Sequence, residues 1–180
     1  MRARLRLFPL LVLLLTPPAL RGQAPVQLSL FPPLQLVDEA ESIAGIRLGL
    51  YGKNAGMEGF DLGVITHTTG DVLALQIALV NVVQGDAAGA QVGWGLGAAI
   101  ANVVEGEFTG FQAGFYNGAG SARAFQMGFL NNVRSRTAGL QLGLVNVTDD
   151  MNGFQVGLVN IIRSKDRFPV LPIVNWKLDG

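Results

Sequence analysis

The chain has a single histidine, His67, and no cysteine. His67 sits in Thr66-His67-Thr68-Thr69. A zinc site there would need a second imidazole or a thiolate, and a histidine-assisted nucleophile would need an orienting acid, none of which accompanies it. A solvated turn histidine is the expectation. Gly93-Trp94-Gly95-Leu96-Gly97 has the glycine content of a phosphate-cradling loop, but it lacks the strand-loop-helix setting and the later acidic residue that such a loop requires. It reads instead as an insertion with small residues where backbones approach closely. Asp71, Asp86 and Glu107 could line an acidic edge for a divalent cation. Without a calcium-loop pattern, the expectation is a solvated edge that discourages strand addition. Arg47 and Asp61 stand at equivalent places in successive repeats, which favours an ion pair over acid/base catalysis. No catalytic, cofactor-binding or metal-ligating residue emerges, so the expectation is a protein without enzymatic activity.

The element carrying all of these residues is a repeat. Gly139-Leu140-Gln141-Leu142-Gly143-Leu144-Val145-Asn146 is followed by Gly153-Phe154-Gln155-Val156-Gly157-Leu158-Val159-Asn160. The same frame recurs upstream with Gln76, Gln91, Gln112 and Gln126, and with Asn81, Asn117 and Asn131. Steps between glutamines are 14 or 15 residues except for one of 21, which marks an insertion at 94–101. Ile46-Arg47-Leu48-Gly49-Leu50 and Phe60-Asp61-Leu62-Gly63-Val64 keep the frame with a changed central residue, and a final unit ending at Asn175 keeps only the Asn. A fixed period of this kind signals a repeat architecture with atypical terminal units.

Within a unit the apolar residues alternate with Gly and Gln, which is strand periodicity, and stretches such as Thr148-Asp149-Asp150-Met151-Asn152 supply turns. Two all-β folds accommodate this pattern: a short parallel β-solenoid of about nine coils of 14–15 residues, or a small antiparallel up-and-down barrel in which each unit is one strand. The solenoid is favoured because single units, not pairs, repeat. Parallel stacking would also let Gln76, Gln91, Gln112, Gln126, Gln141 and Gln155, and Asn81, Asn117, Asn131, Asn146, Asn160 and Asn175, form amide ladders at the strand spacing. Arg134, Asp149 and Arg163 follow their unit's Asn by three residues with alternating sign, which parallel stacking would turn into a charge ladder. The expected interior is Leu, Phe and Val.

Arg2, Arg4 and Arg6 precede the apolar run from Leu7 to Leu15, and small residues follow at Gly22 and Ala24. Residues 1–24 therefore read as a secretory signal peptide. Residues 25–42 read as an extended lead-in, 43–176 as the β repeat array and 177–180 as a tail. Residues 87–104 carry no charge and space Gly89, Gly93 and Gly97 as in a helix that packs in lipid, but Gln91 keeps the strand repeat's phase. Without the leader, nine basic residues face 13 acidic ones, a net charge of about −4, which disfavours nucleic acid as a partner.

The opening Ala44-Gly45-Ile46-Arg47-Leu48-Gly49-Leu50-Tyr51-Gly52-Lys53-Asn54, the G-x-Q-x-G-L-x-N units and the ending Pro169-Val170-Leu171-Pro172-Ile173-Val174-Asn175-Trp176 resemble a bacterial surface-repeat family of exported proteins. The resemblance covers about residues 43–176. It implies an exported product at the cell surface, outer membrane or periplasm, with no cofactor and no catalytic residues. The expected role is a structural or interaction scaffold for a protein or glycan at the envelope. The barrel alternative would make it an integral outer-membrane protein with a structural or pore role.

Overall fold

The computed structural model describes residues 23–93 and 99–179; most of the expected leader, residues 94–98 of the insertion, and Gly180 lie outside them. The described chain is all β and forms a parallel β-solenoid of about nine turns. In chain order the strands are β1 (Gln23–Phe31), β2 (Leu34–Gln35), β3 (Ser42–Asn54), β4 (Met57–Thr68), β5 (Val72–Ile77), β6 (Val80–Val83), β7 (Ala87–Val92), β8 (Ala99–Leu142), β9 (Val145–Ile162) and β10 (Val170–Lys177). β8 runs through several corners without a break. β1, β3, β4, β5 and β7 follow one another in parallel, as do β4, β6 and β8, and β8 and β9. The antiparallel barrel is therefore not the fold.

Stacking is in register with the repeat. Arg47 lies beside Asp61, Asp61 beside Gln76, Gln76 beside Gln91 and Gln91 beside Gln112. Asn81 meets Asn102 across the 21-residue step, so the coils on either side of the insertion keep the phase of the repeat. The expected lead-in is itself part of the sheet: β1 pairs with β3, placing Gln27 beside Arg47. Gln23 and Ala24, which the sequence assigns to the leader, pair with Ser42 and Ile43.

Each coil is flat. In the unit from Leu140 to Asn146, Gln141 is buried, Leu144 is exposed, Val145 is intermediate and Asn146 is buried again. Two successive residues thus face outward, the alternation slips by one, and the chain turns a corner. Asn146 braces it by donating from Nδ2 to Gly143 O at 3.4 Å and to Val156 O of the next coil at 3.0 Å. Farther from that corner Thr137 Oγ1 donates to Thr148 Oγ1 at 3.0 Å, bridging the two segments of one coil.

This flatness inverts the expected interior. Gln76, Gln91, Gln112, Gln126, Gln141 and Gln155 are buried, whereas Leu50, Leu75, Phe115, Phe129, Leu144 and Leu158 are exposed. The period of two was read in the wrong phase, and a slip of one residue exchanges the faces of a strand. The physical reason is space. A Cβ on Gly143 would lie 2.7 Å from Asn131 Nδ2 and 2.8 Å from Gly128 O, so neighbouring coils fill the interior around this corner and leave no room for a leucine. The apolar core that does exist lies toward the opposite corner. There Ile43, Met57, Val72, Ala87, Phe108 and Ala122 succeed one another, with Val83, Val104 and Val133 across from them. Phe108 fits because its row neighbours are Ala87 and Ala122.

Both ends depart from the parallel rule. β2 folds back antiparallel on β1, and β10 folds back antiparallel on β9, setting Asn175 beside Gln155 instead of Asn160. The final unit expected to add one more coil therefore reverses. Phe168 at φ 53° lies in the connection that leads into β10 and Ile173 at φ 68° within β10, where the pairing shifts between Leu171 and Ile173.

Gly153 combines φ +151° with an approach in which a Cβ would sit 1.9 Å from Gly139 O. Gly153→Ala is expected to lower stability by on the order of 2–4 kcal/mol. A fall in the urea midpoint measures it, and an unchanged midpoint would contradict the close coil spacing.

Candidate functional site

The residues singled out by spacing assemble into two buried rows. Gln91 donates from Nε2 to Gln76 Oε1 at 2.8 Å, Gln112 to Gln91 at 2.7 Å, Gln126 to Gln112 at 2.7 Å, Gln141 to Gln126 at 2.8 Å and Gln155 to Gln141 at 2.8 Å. Every donation runs toward the N-terminus. The direction has a chemical cause at the first rungs. Asp61 takes Arg47 Nε at 2.9 Å and an Arg47 terminal nitrogen at 2.6 Å, with both side chains 1% exposed. As a carboxylate it can only accept, so Gln76 must turn its amide nitrogen to it, which it does at 2.8 Å. Gln76 then offers only its oxygen to the next coil, and each following glutamine repeats that orientation. Gln155 Oε1, at the far end, has no hydrogen-bond partner.

The asparagines run the other way. Thr66 Oγ1 donates to Asn81 Oδ1 at 2.7 Å, and Asn81, Asn102, Asn117, Asn131 and Asn146 each donate from Nδ2 to the next Asn at 2.8 Å. The second amide hydrogen fixes this polarity, because Asn102, Asn117, Asn131 and Asn146 also donate to a main-chain carbonyl of the following coil. Asn175 stands apart from this row: it donates to Asn160 O at 3.1 Å and accepts from Lys165 at 2.7 Å. Sequence reasoning missed two members. Asn102 was hidden by the insertion, although it lies 15 residues before Asn117, and Gln27 occupies the same inward slot in β1.

These amides are 0% or 1% exposed. They hold coils together and cannot touch a ligand. The proposed charge ladder assembles only in part: Arg163 reaches Asp149 at 2.6 Å, while Arg134 turns to Glu105 O at 3.0 Å. Its neighbours are busier, since Asp150 receives Lys177 and Ser164, and Arg136 pairs with Asp179. His67 is half-buried behind Tyr51, whose hydroxyl lies 3.3 Å from Nδ1. Burial, with Lys53 and Arg47 nearby, lowers its pKa and favours the neutral ring. Among the described residues no cluster of three or more His, Cys, Asp or Glu is placed to hold a metal ion.

Two outer features remain. The charged rim, at the corner opposite Gly143, carries a shallow cleft of about 590 Å³ lined by residues that include Glu107, Arg123 and Arg136; Glu107 and Arg123 pair across it at 3.1 Å. On the other side stand outward rows of large apolar side chains. Phe115 and Phe129 stack with centroids 4.7 Å apart and planes 11° from parallel, and Phe111 and Phe125 stack at 5.5 Å. In-register coils place like on like, so the outer surface repeats as regularly as the interior.

Gln126→Leu would leave Gln112 Oε1 without its donor and Gln141 Nε2 without its acceptor. Two stranded buried groups at about 1–3 kcal/mol each give an expected loss of roughly 2–5 kcal/mol in urea unfolding, with the m-value unchanged. At the C-terminal end, hydrogen bonds from Lys177 and Ser164 hold the Asp150 carboxyl down to about 2. A depressed carboxylate stabilises the fold fully above its unfolded pKa and loses that contribution as pH falls through the folded value. The β10 amides are therefore expected to lose hydrogen-exchange protection between about pH 4 and about pH 2. Lys177→Met should remove most of that dependence. A comparison of the chain with known protein families, with curated proteins and with solved structures finds no match.

Proposed function

We propose that the chain is a non-enzymatic, exported scaffold of the cell envelope, whose work is done by the repeated outer surface of its coils. One observation carries this reading: the buried amide rows join one coil to the next, while the outer apolar side repeats similar large side chains from coil to coil. An outer surface fixed from within by amide rows is pre-organised, so a partner that engages several coils does not have to order them first. The leader-like segment supplies the route out of the cytoplasm. The absence of cysteine suits such a product, because its stability rests on hydrogen bonds and packing that are indifferent to redox conditions.

Expression of the full chain in a Gram-negative host, followed by fractionation, tests the proposal. The expected result is a shortened product in the periplasmic or envelope fraction, and retention of an unprocessed product in the cytoplasm when residues 2–15 are removed. A full-length product that stays cytoplasmic with its leader intact would overturn it.

A further inference from the structure

The outward apolar rows are not spread evenly around the coil. A six-residue window that starts one residue before each inward Gln slot ends just past the tight corner. In the eight such windows that lie wholly within the described residues, at 26–31, 46–51, 60–65, 75–80, 111–116, 125–130, 140–145 and 154–159, the only charged residues are Arg47 and Asp61. Those two are buried against each other. No outward position of these windows bears a charge. The exposed charges gather on the opposite rim, at Asp71, Asp86, Glu105, Arg134 and Asp149. The solenoid is therefore amphipathic across its axis, with an apolar ridge on one side and a charged rim on the other.

The ridge is convex. Its corner residues Leu50, Phe115, Phe129, Leu144 and Leu158 are 57%, 57%, 46%, 41% and 67% exposed. Apolar rows continue down both flanks, with Ile46, Leu75 and Phe154 on one and Ile65 and Val159 on the other. Exposed apolar residues at the corner and on both flanks together make a surface of the kind that soluble monomers rarely leave uncovered. A second copy related by two-fold symmetry presents one patch to one patch and would cover a single flank. A fluid apolar medium covers both flanks and the corner together. From the corner glycine back to the first residue of the window the chain spans about 10 Å at strand rise. That matches the about 5–10 Å to which interfacial segments enter a bilayer.

The geometry points to a lipid bilayer surface as the partner of this ridge, with the solenoid lying in one leaflet on its apolar edge and the charged rim facing water. This assignment rests on the scaffold reading and names what the scaffold's outer surface engages. With no charge on the ridge and an excess of acidic residues in the described chain, the surface suited to it is zwitterionic, and its attachment is indifferent to salt.

Flotation with phosphatidylcholine vesicles tests it, using the exported full-chain product recovered from the host. The wild-type protein should float with vesicles equally at low and at high salt. The triple variant Leu50→Asp, Phe115→Asp, Leu158→Asp places three charges on coils far apart on the ridge. It should keep the wild-type circular dichroism and thermal transition and lose at least tenfold in vesicle partitioning. Arg123→Asp, on the charged rim, should float as the wild type does. Wild-type protein that stays with the aqueous fraction overturns the assignment, as does a triple variant that still floats. A salt-stable dimer that the triple variant abolishes, without vesicle binding, overturns it in favour of a second copy. If the chain is exported but does not float, the scaffold reading stands and the lipid assignment falls.

Discussion

A buried primary amide is costly unless both of its hydrogens and its oxygen find partners. In this fold a Gln side chain is joined to its equivalents in the coils before and after it, at 2.7–2.8 Å. The constraint is mutual. The amide needs an equivalent amide one strand spacing away, and only parallel, in-register coils supply one. Flat coils follow, because a row of amides does not fill a wide lumen. Small residues at the corner follow from flat coils. The large aliphatic and aromatic residues, excluded from so thin an interior, have nowhere to go but outward. The apolar ridge is thus a geometric result of the polar interior.

The repeat period, strand identity, parallel order and identity of the ladder residues could all be read from the chain, because each depends on spacing alone. Gln141 and Gln155 are 14 residues apart and become neighbours whatever faces they occupy. Which face is inside depended on a competition that spacing does not decide. Burying Leu140, Leu142 and Leu144 would remove more apolar surface from water, but the glycines that precede and follow them leave coil backbones too close to accept them. Gly153 and Gly157 were the available signal: a glycine that alternates with glutamine marks the crowded side of a strand. The place of Asn175 was misread for a related reason. Asn175 preserves the repeat's letter while Pro169 and Pro172 alter the backbone around it, and pairing direction is set by the backbone.

Charge has two distinct duties. On the rim, pairs such as Arg163 with Asp149 are exposed and worth about 0–1 kcal/mol each. Inside, Arg47 and Asp61 are sealed together, and Arg47 also reaches His67 O and Thr68 Oγ1 at 3.2 and 3.1 Å. Removing one partner of such a pair typically costs about 3–5 kcal/mol, whereas replacing both by apolar residues is often neutral. The pair's particular contribution here is directional. By accepting only, Asp61 orients an entire row of amides that would otherwise have two equivalent ways to point.

The reversed strands at the two ends bear on how such a molecule varies over evolutionary time. An open parallel stack has no intrinsic terminus and can recruit identical neighbours without limit. Here β2 and β10 close it. Because the closures are separate from the units between them, unequal crossing-over that duplicates or deletes one unit would change the rod by a single increment of about 4.8 Å and leave both terminators intact. Overall length is then a countable genetic trait, adjustable in whole steps without redesign of the ends.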